Sequence, residues 1–87
     1  GGEEIVVAVP DTPLDGAQAV AERIRERIEG SPFVVQGGTR AIEVTVSVGV
    51  AARQAGDGAA AELLKRADVA LYRAKEQGRN RVVAEAA

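Results

Sequence analysis

The chain contains no cysteine, histidine, methionine or tryptophan. Without cysteine there is no disulfide framework and no thiolate nucleophile. Without histidine there is no imidazole base, and with neither residue there is no zinc finger. Any metal would be held by oxygen, which favours Mg²⁺ or Ca²⁺. No apolar run approaches the ~18 residues of a membrane-spanning helix, and no charged-then-apolar leader opens the chain. No membrane association and a cytoplasmic location are therefore expected, and missing cysteine fits a reducing compartment. Eleven basic and thirteen acidic residues give a net charge of −2 and are spread along the chain. That is a solvated surface and not a polycationic nucleic-acid binder. The absent Met and the Gly1-Gly2 start raise the expectation of an excised fragment or a designed protein.

What is present is small and aliphatic. Eighty-seven residues are expected to form a single domain, 1–87. Seventeen of the apolar residues are Ala, and Phe33 and Tyr72 are the only aromatics. The core is expected to be one thin Val- and Ala-lined layer.

Glu4 to Val9 is a β-branched run ended by Pro10, which predicts a strand covered on both faces. Thr12 and Pro13 suit a helix start, with Asp15 at capping-box spacing. Ala17, Val20, Ala21, Ile24 and Ile28 then recur on one helical face, and Gly30 ends the run. Glu22 and Glu26 are a like-charge i,i+4 pair, so this surface is not expected to be rich in ion pairs. Phe33–Val35 reads as a short strand, 36–40 as a hairpin loop, and Ile42–Ala51 as the longest strand. In that strand Ile42, Val44, Val46, Val48 and Val50 form one buried face. Gly49 within it suggests a bulge or a close neighbour. A helix from about Ala59 to Gln77, capped by Asp57, carries a stripe of Ala60, Leu63, Leu64, Ala67, Leu71 and Ala74. Arg66 and Asp68 read as solvated, Arg81–Ala84 as a last strand, and the final three residues as frayed. The order β-α-β-β-α-β predicts an α+β fold. Specifically, it predicts a ferredoxin-like plait, an antiparallel sheet with two helices on one face.

Two segments could carry chemistry. Gly1-Gly2-Glu3-Glu4 combines glycines that let a backbone approach a ligand with carboxylates that could hold Mg²⁺ beside a triphosphate. It reads equally as a frayed terminus with solvated Glu. Lys75 and Arg79, four apart across a helix end, could clamp phosphate oxygens. They could equally complement the helix dipole beside the C-cap Gly78 and the turn residue Asn80. There is no P-loop and no Ser–His–Asp set.

Together the segments GGEEI, VVAVPDT, DGAQAVAERIRERI, VTVSVGVA and RADVALYRAKEQGRNRV resemble the GGDEF domain of bacterial diguanylate cyclases, in order and at the family's spacing. That family condenses two GTP into cyclic di-GMP with a divalent metal, Mg²⁺, working as a dimer with one GTP on each domain. The resemblance implies that Gly1 and Gly2 lie on the turn beside the nucleotide. It implies that Glu3 ligates metal and helps deprotonate the attacking hydroxyl, with Glu4 the acid next to it. Lys75 and Arg79 match the family's phosphate contacts. Ile5 replaces the usual Phe.

A full domain of that family has roughly twice this length, so the chain matches only its second half. The first half carries a central strand with another metal-ligating Asp and the residues that read guanine. Its absence leads to several expectations for the chain alone. The first is a non-catalytic folding unit or scaffold, not an enzyme, with relic site residues, no cofactor, and weak or absent GTP binding. The alternatives are a residual GTP or phosphate binder, or half of a split cyclase. In the family the missing strand lies between the strand after GGEE and the VTVSVGV strand. The chain is therefore expected to rearrange its strands or to self-associate through an open sheet edge.

Overall fold

A computed structural model describes residues 2–9, 12–53 and 60–85. Its elements run β1 (Gly2–Val9), α1 (Leu14–Glu29), β2 (Phe33–Val35), a 3-10 turn (Gln36–Gly38), β3 (Arg40–Ile42), β4 (Thr45–Ala52), α2 (Ala60–Glu76) and β5 (Val82–Ala84). Helix α1 starts one residue later than expected. Pro13 is still extended (φ −57°, ψ 149°) and no side chain caps the helix. Gly30 closes it, its N–H donating to the Glu26 carbonyl. The expected cap Thr12 is corrected, because Pro13 takes the N-cap position and no side chain caps the helix, and the expected cap Asp57 lies outside the described residues.

The ferredoxin-like α+β class stands, but two details of the plait are corrected. First, the main sheet is parallel. Its three strands are ordered β1-β4-β5, with Ile5 opposite Val48 and Val48 opposite Val82. Each strand is joined to the next through a helix, which carries the chain back to the end where it began. The only antiparallel pairing described is the separate hairpin β2–β3, where Phe33 faces Ile42.

Second, the helices lie on opposite faces. Ala17 and Ala21 of α1 meet Val46, Val48 and Val50, with Val7, Val9 and Val82 packed around them. Leu63 and Ala67 of α2 meet Ala51 and Val6 on the other side. Alternate residues of β4 explain this. Val46, Val48 and Val50 present bulk to α1, while Gly49 and Ala51 leave room for α2 to come close. Every residue from Val46 to Ala52 is consequently buried, not one face alone. Both crossovers step the same way across the sheet, so helices on opposite faces give them opposite hands. One of them therefore departs from the usual right-handed connection.

The long strand expected from Ile42 breaks at Glu43 and Val44. Ile42 belongs to the hairpin and is 38% exposed, whereas β4 begins at Thr45 opposite Gly2. The α2 stripe also shifts. Ala70 is buried and Leu64 is 46% exposed, because the helix rolls its alanines onto the sheet. Strands β1 and β4 pair directly along their whole length, Gly2–Thr45 to Val9–Ala52. This is the strand rearrangement anticipated for a chain without the intervening strand. It leaves the outer sides of β1 and β5 without a described partner strand.

Candidate functional site

Glu4 stands opposite Ser47 in the β1–β4 register, so both side chains fall on the α2 face. There they meet the C-terminal end of α2. Lys75 Nζ lies 3.1 Å from Glu4 Oε1, and Arg79 Nη1 lies 3.8 Å from Glu4 Oε2. Lys75 thus meets a carboxylate 71 positions away in sequence and shares it with Arg79. All three are accessible, with side-chain exposures of 31% for Lys75, 44% for Glu4 and 55% for Arg79. The arrangement is a pair of cations gripping one anion at the surface.

The turn that carries Arg79 is held from three directions. Gly78 leaves the helix at φ +119°, and Arg79 and Asn80 follow at φ +66° and +45°. Asn tolerates this left-handed backbone better than most residues. The Arg79 N–H donates to the Ala74 carbonyl at 2.9 Å, and the Asn80 N–H donates to Ser47 Oγ at 3.2 Å. From α1, Arg25 donates to Asn80 Oδ1 at 3.0 Å and to Glu29 at 3.3 Å. Asn80 Nδ2 in turn donates to Glu29. Arg25 also pairs with Glu22, whose carboxylate holds the guanidinium charged and raises its pKa. The Asn80 amide, and secondarily Arg25, lowers the pKa of Glu29. The sparse ion pairing expected on this helix is corrected, because Arg25 bridges Glu22 and Glu29 at i−3 and i+4. Ser47, Arg25 and Asn80 carried no signal for this role in the sequence. Their meeting depends on register and on which helix takes which face.

The remaining candidates are placed differently. Gly1 lies outside the described residues, and Gly2 begins β1. Glu3 is exposed, opposite Val46, and alternates to the other side of the strand from Glu4. It makes no ion pair with a described residue and does not join Lys75 and Arg79. Among the described residues no three acidic side chains converge as a metal cage. A triphosphate-bound Mg²⁺ needs less, since it takes one or two protein carboxylates and fills its other positions with phosphate and water. Glu3 lies one residue before the cation pair's anion but faces the other side of β1, so as placed it shares no ligand with Lys75 and Arg79.

A second polar node sits toward the far end of β4. Glu85 is 8% exposed, and its Oε2 accepts the Ala52 N–H at 2.9 Å while its Oε1 accepts Arg66 Nε at 2.9 Å. Arg66 Nη2 donates to the Ala52 carbonyl at 2.9 Å. This corrects the readings of Glu85 as frayed and Arg66 as merely solvated. The two side chains tie α2, β4 and the end of β5 together. They also line a shallow cavity of about 210 Å³ with Lys65, Val69 and Arg73.

The family model for "Diguanylate cyclase, GGDEF domain" matches residues 1–81. The chain belongs to the GGDEF family. It is 54% identical over 88 aligned residues, its whole length, to the response regulator PleD of Caulobacter vibrioides. It is 49% identical over 84 residues, 97% of the chain, to diguanylate cyclase DgcM of Escherichia coli. It is 43% identical over 82 residues, 94% of the chain, to diguanylate cyclase A of Treponema denticola. The chain spans 19%, 19% and 22% of these relatives, about a fifth of their length. The expectation that this is not an enzyme is overturned by these matches, which place it in an enzyme family. No helix among the described residues is long and apolar enough to cross a membrane.

Proposed function

We propose that this GGDEF chain supplies the signature-strand and triphosphate-binding portion of a diguanylate cyclase site, which turns two GTP into cyclic di-GMP. The observation that carries the reading is the convergence of Lys75 and Arg79 on one anion, Glu4, beside the signature strand. A fork and a point charge around one anion suit phosphate oxygens. In the family reaction the 3′ hydroxyl of one GTP attacks the α-phosphate of the other and pyrophosphate leaves. Lys75 and Arg79 would orient the phosphates and take up the charge that gathers on the departing pyrophosphate. Mg²⁺ bound with the nucleotide would supply charge neutralisation on the phosphate oxygens, and for Glu3 to hold it that side chain, on the other face of β1, would have to turn toward the clamp. Asn80, Ser47 and Arg25 act as positioning residues by fixing the turn that presents Arg79.

On its own the chain is expected to bind GTP weakly, through the phosphates alone. A complementing segment would hold the base, which makes this a cyclase half that works with a preceding half. The test mixes the chain with the preceding segment of a relative's GGDEF domain. It then measures GTP affinity and cyclic di-GMP formation in the presence of Mg²⁺. Lys75→Ala and Arg79→Ala are each expected to weaken GTP binding about tenfold, or ~1.4 kcal/mol. Unchanged affinity and turnover in both variants would reject the reading.

A further inference from the structure

We propose that Glu4 is the resident occupant of the phosphate clamp, so that nucleotide binding is an anion exchange. The incoming phosphate oxygens displace the Glu4 carboxylate from Lys75 and Arg79. This rests on the reading of those two residues as an anion clamp and adds a competitor built into the strand. The geometry is specific. One carboxylate oxygen of Glu4 faces Lys75 Nζ at 3.1 Å and the other faces Arg79 Nη1 at 3.8 Å. The backbone of Glu4 is pinned opposite Ser47, and the Asn80 N–H bonds that serine's hydroxyl. Carboxylate and cations are therefore presented to each other by the same piece of scaffold.

A tethered carboxylate acts at a high effective concentration, which a free anion must overcome. The pair is nevertheless half in solvent, where such contacts contribute ~0.2–1 kcal/mol each. It is strong enough to turn away weakly charged anions and weak enough to yield to a polyphosphate with several charged oxygens. Glu4 thereby raises the threshold of the clamp and favours ligands carrying more than one phosphate.

The experiment titrates inorganic pyrophosphate into the chain with all divalent metal chelated, so that no metal bridge contributes. Four proteins are compared: wild type, Glu4→Gln, Lys75→Ala/Arg79→Ala and Glu76→Gln. Circular dichroism establishes that each is folded. Glu4→Gln is expected to bind pyrophosphate about twofold to thirtyfold more tightly than wild type, the range set by releasing two accessible ion pairs. Lys75→Ala/Arg79→Ala should lose binding. Glu76→Gln removes a carboxylate next to Lys75 that has no ion pair with a described residue, and it should change affinity less than twofold. If the double variant loses binding while Glu4→Gln binds no more tightly than wild type, the clamp stands and the exchange is overturned. Equal tightening in Glu76→Gln would also overturn it, because general charge reduction would then be the cause. If the double variant binds like wild type, or no protein binds, the clamp reading falls and the exchange with it.

Discussion

A β-carbon placed on Gly49 would lie 2.2 Å from the backbone nitrogen of Leu71 and 2.3 Å from the carbonyl oxygen of Ala67. No side-chain rotation relieves an overlap with backbone, so α2 must lift from the sheet or β4 must bend. Gly49→Ala is therefore expected to destabilise the fold by ~3 kcal/mol or more, at the upper end of overpacking costs. Lifting α2 also withdraws Lys75 from Glu4. Urea unfolding, followed by circular dichroism, should show a lowered midpoint at unchanged slope. A midpoint equal to that of wild type would mean that α2 does not lie against β4 in this way.

The Glu85 carboxylate answers the Ala52 N–H and Arg66 Nε together, and its side chain is only 5% exposed. Glu85→Ala strips both donors of this partner inside the fold. The expected loss is ~1–3 kcal/mol, the usual cost of a buried donor left without an acceptor. Glu85→Gln keeps an acceptor oxygen for one of them and should cost less. Equilibrium unfolding of the two variants checks the order, and equal losses would mean that charge, not hydrogen bonding, is what matters. An intact terminus should also protect the Ala52 amide from hydrogen exchange.

The outer side of β1 has no partner strand among the described residues, and Ile5 on it is 36% exposed. An open edge of this length invites pairing with a second copy. Sedimentation is expected to show concentration-dependent association, and Ile5→Lys to reduce it by placing a charge on the edge. A wild-type chain that stays monomeric up to about millimolar concentration would remove the edge as an interface.

Much of this was legible in the sequence for definite reasons. The 3.6-residue spacing of Ala17, Ala21 and Ile28 located α1, and the alternation from Val44 to Val50 located β4. Lys75 and Arg79 were visible as a pair because they lie on one turn. What was hidden depends on the sense of the sheet. The same βαββαβ order suits an antiparallel plait, and only the direct pairing of β1 with β4 puts Glu4 beside Ser47. Gly49 hinted at a close neighbour, but not that the neighbour was a helix on the second face. Glu85 could not be singled out, because its partners Ala52 and Arg66 lie 33 and 19 positions away. The Arg25–Asn80 contact spans 55 positions and is equally silent in the sequence.

That contact makes an acid-sensitive element. Hydrogen bonding from Asn80, with help from Arg25, lowers the pKa of Glu29 below its ordinary value of 4.5. The folded chain therefore binds the Glu29 proton less readily than the unfolded chain. The stabilisation is fully present above about pH 4.5 and is lost as pH falls through the folded pKa. Asn80→Ala removes the largest cause of the shift. The melting temperature of Asn80→Ala should lie below that of wild type at neutral pH, and the gap should narrow as pH falls through the lowered pKa of folded Glu29. Part of the gap persists in acid, because Asn80 also suits the left-handed backbone of its turn at φ +45°. A gap of constant size across the range would show that Asn80 acts through backbone conformation alone. Pyrophosphate affinity of the same variant at neutral pH supplies the functional reading. A turn no longer held by Arg25 should present Arg79 less well, and Arg79 itself is unaltered in that variant.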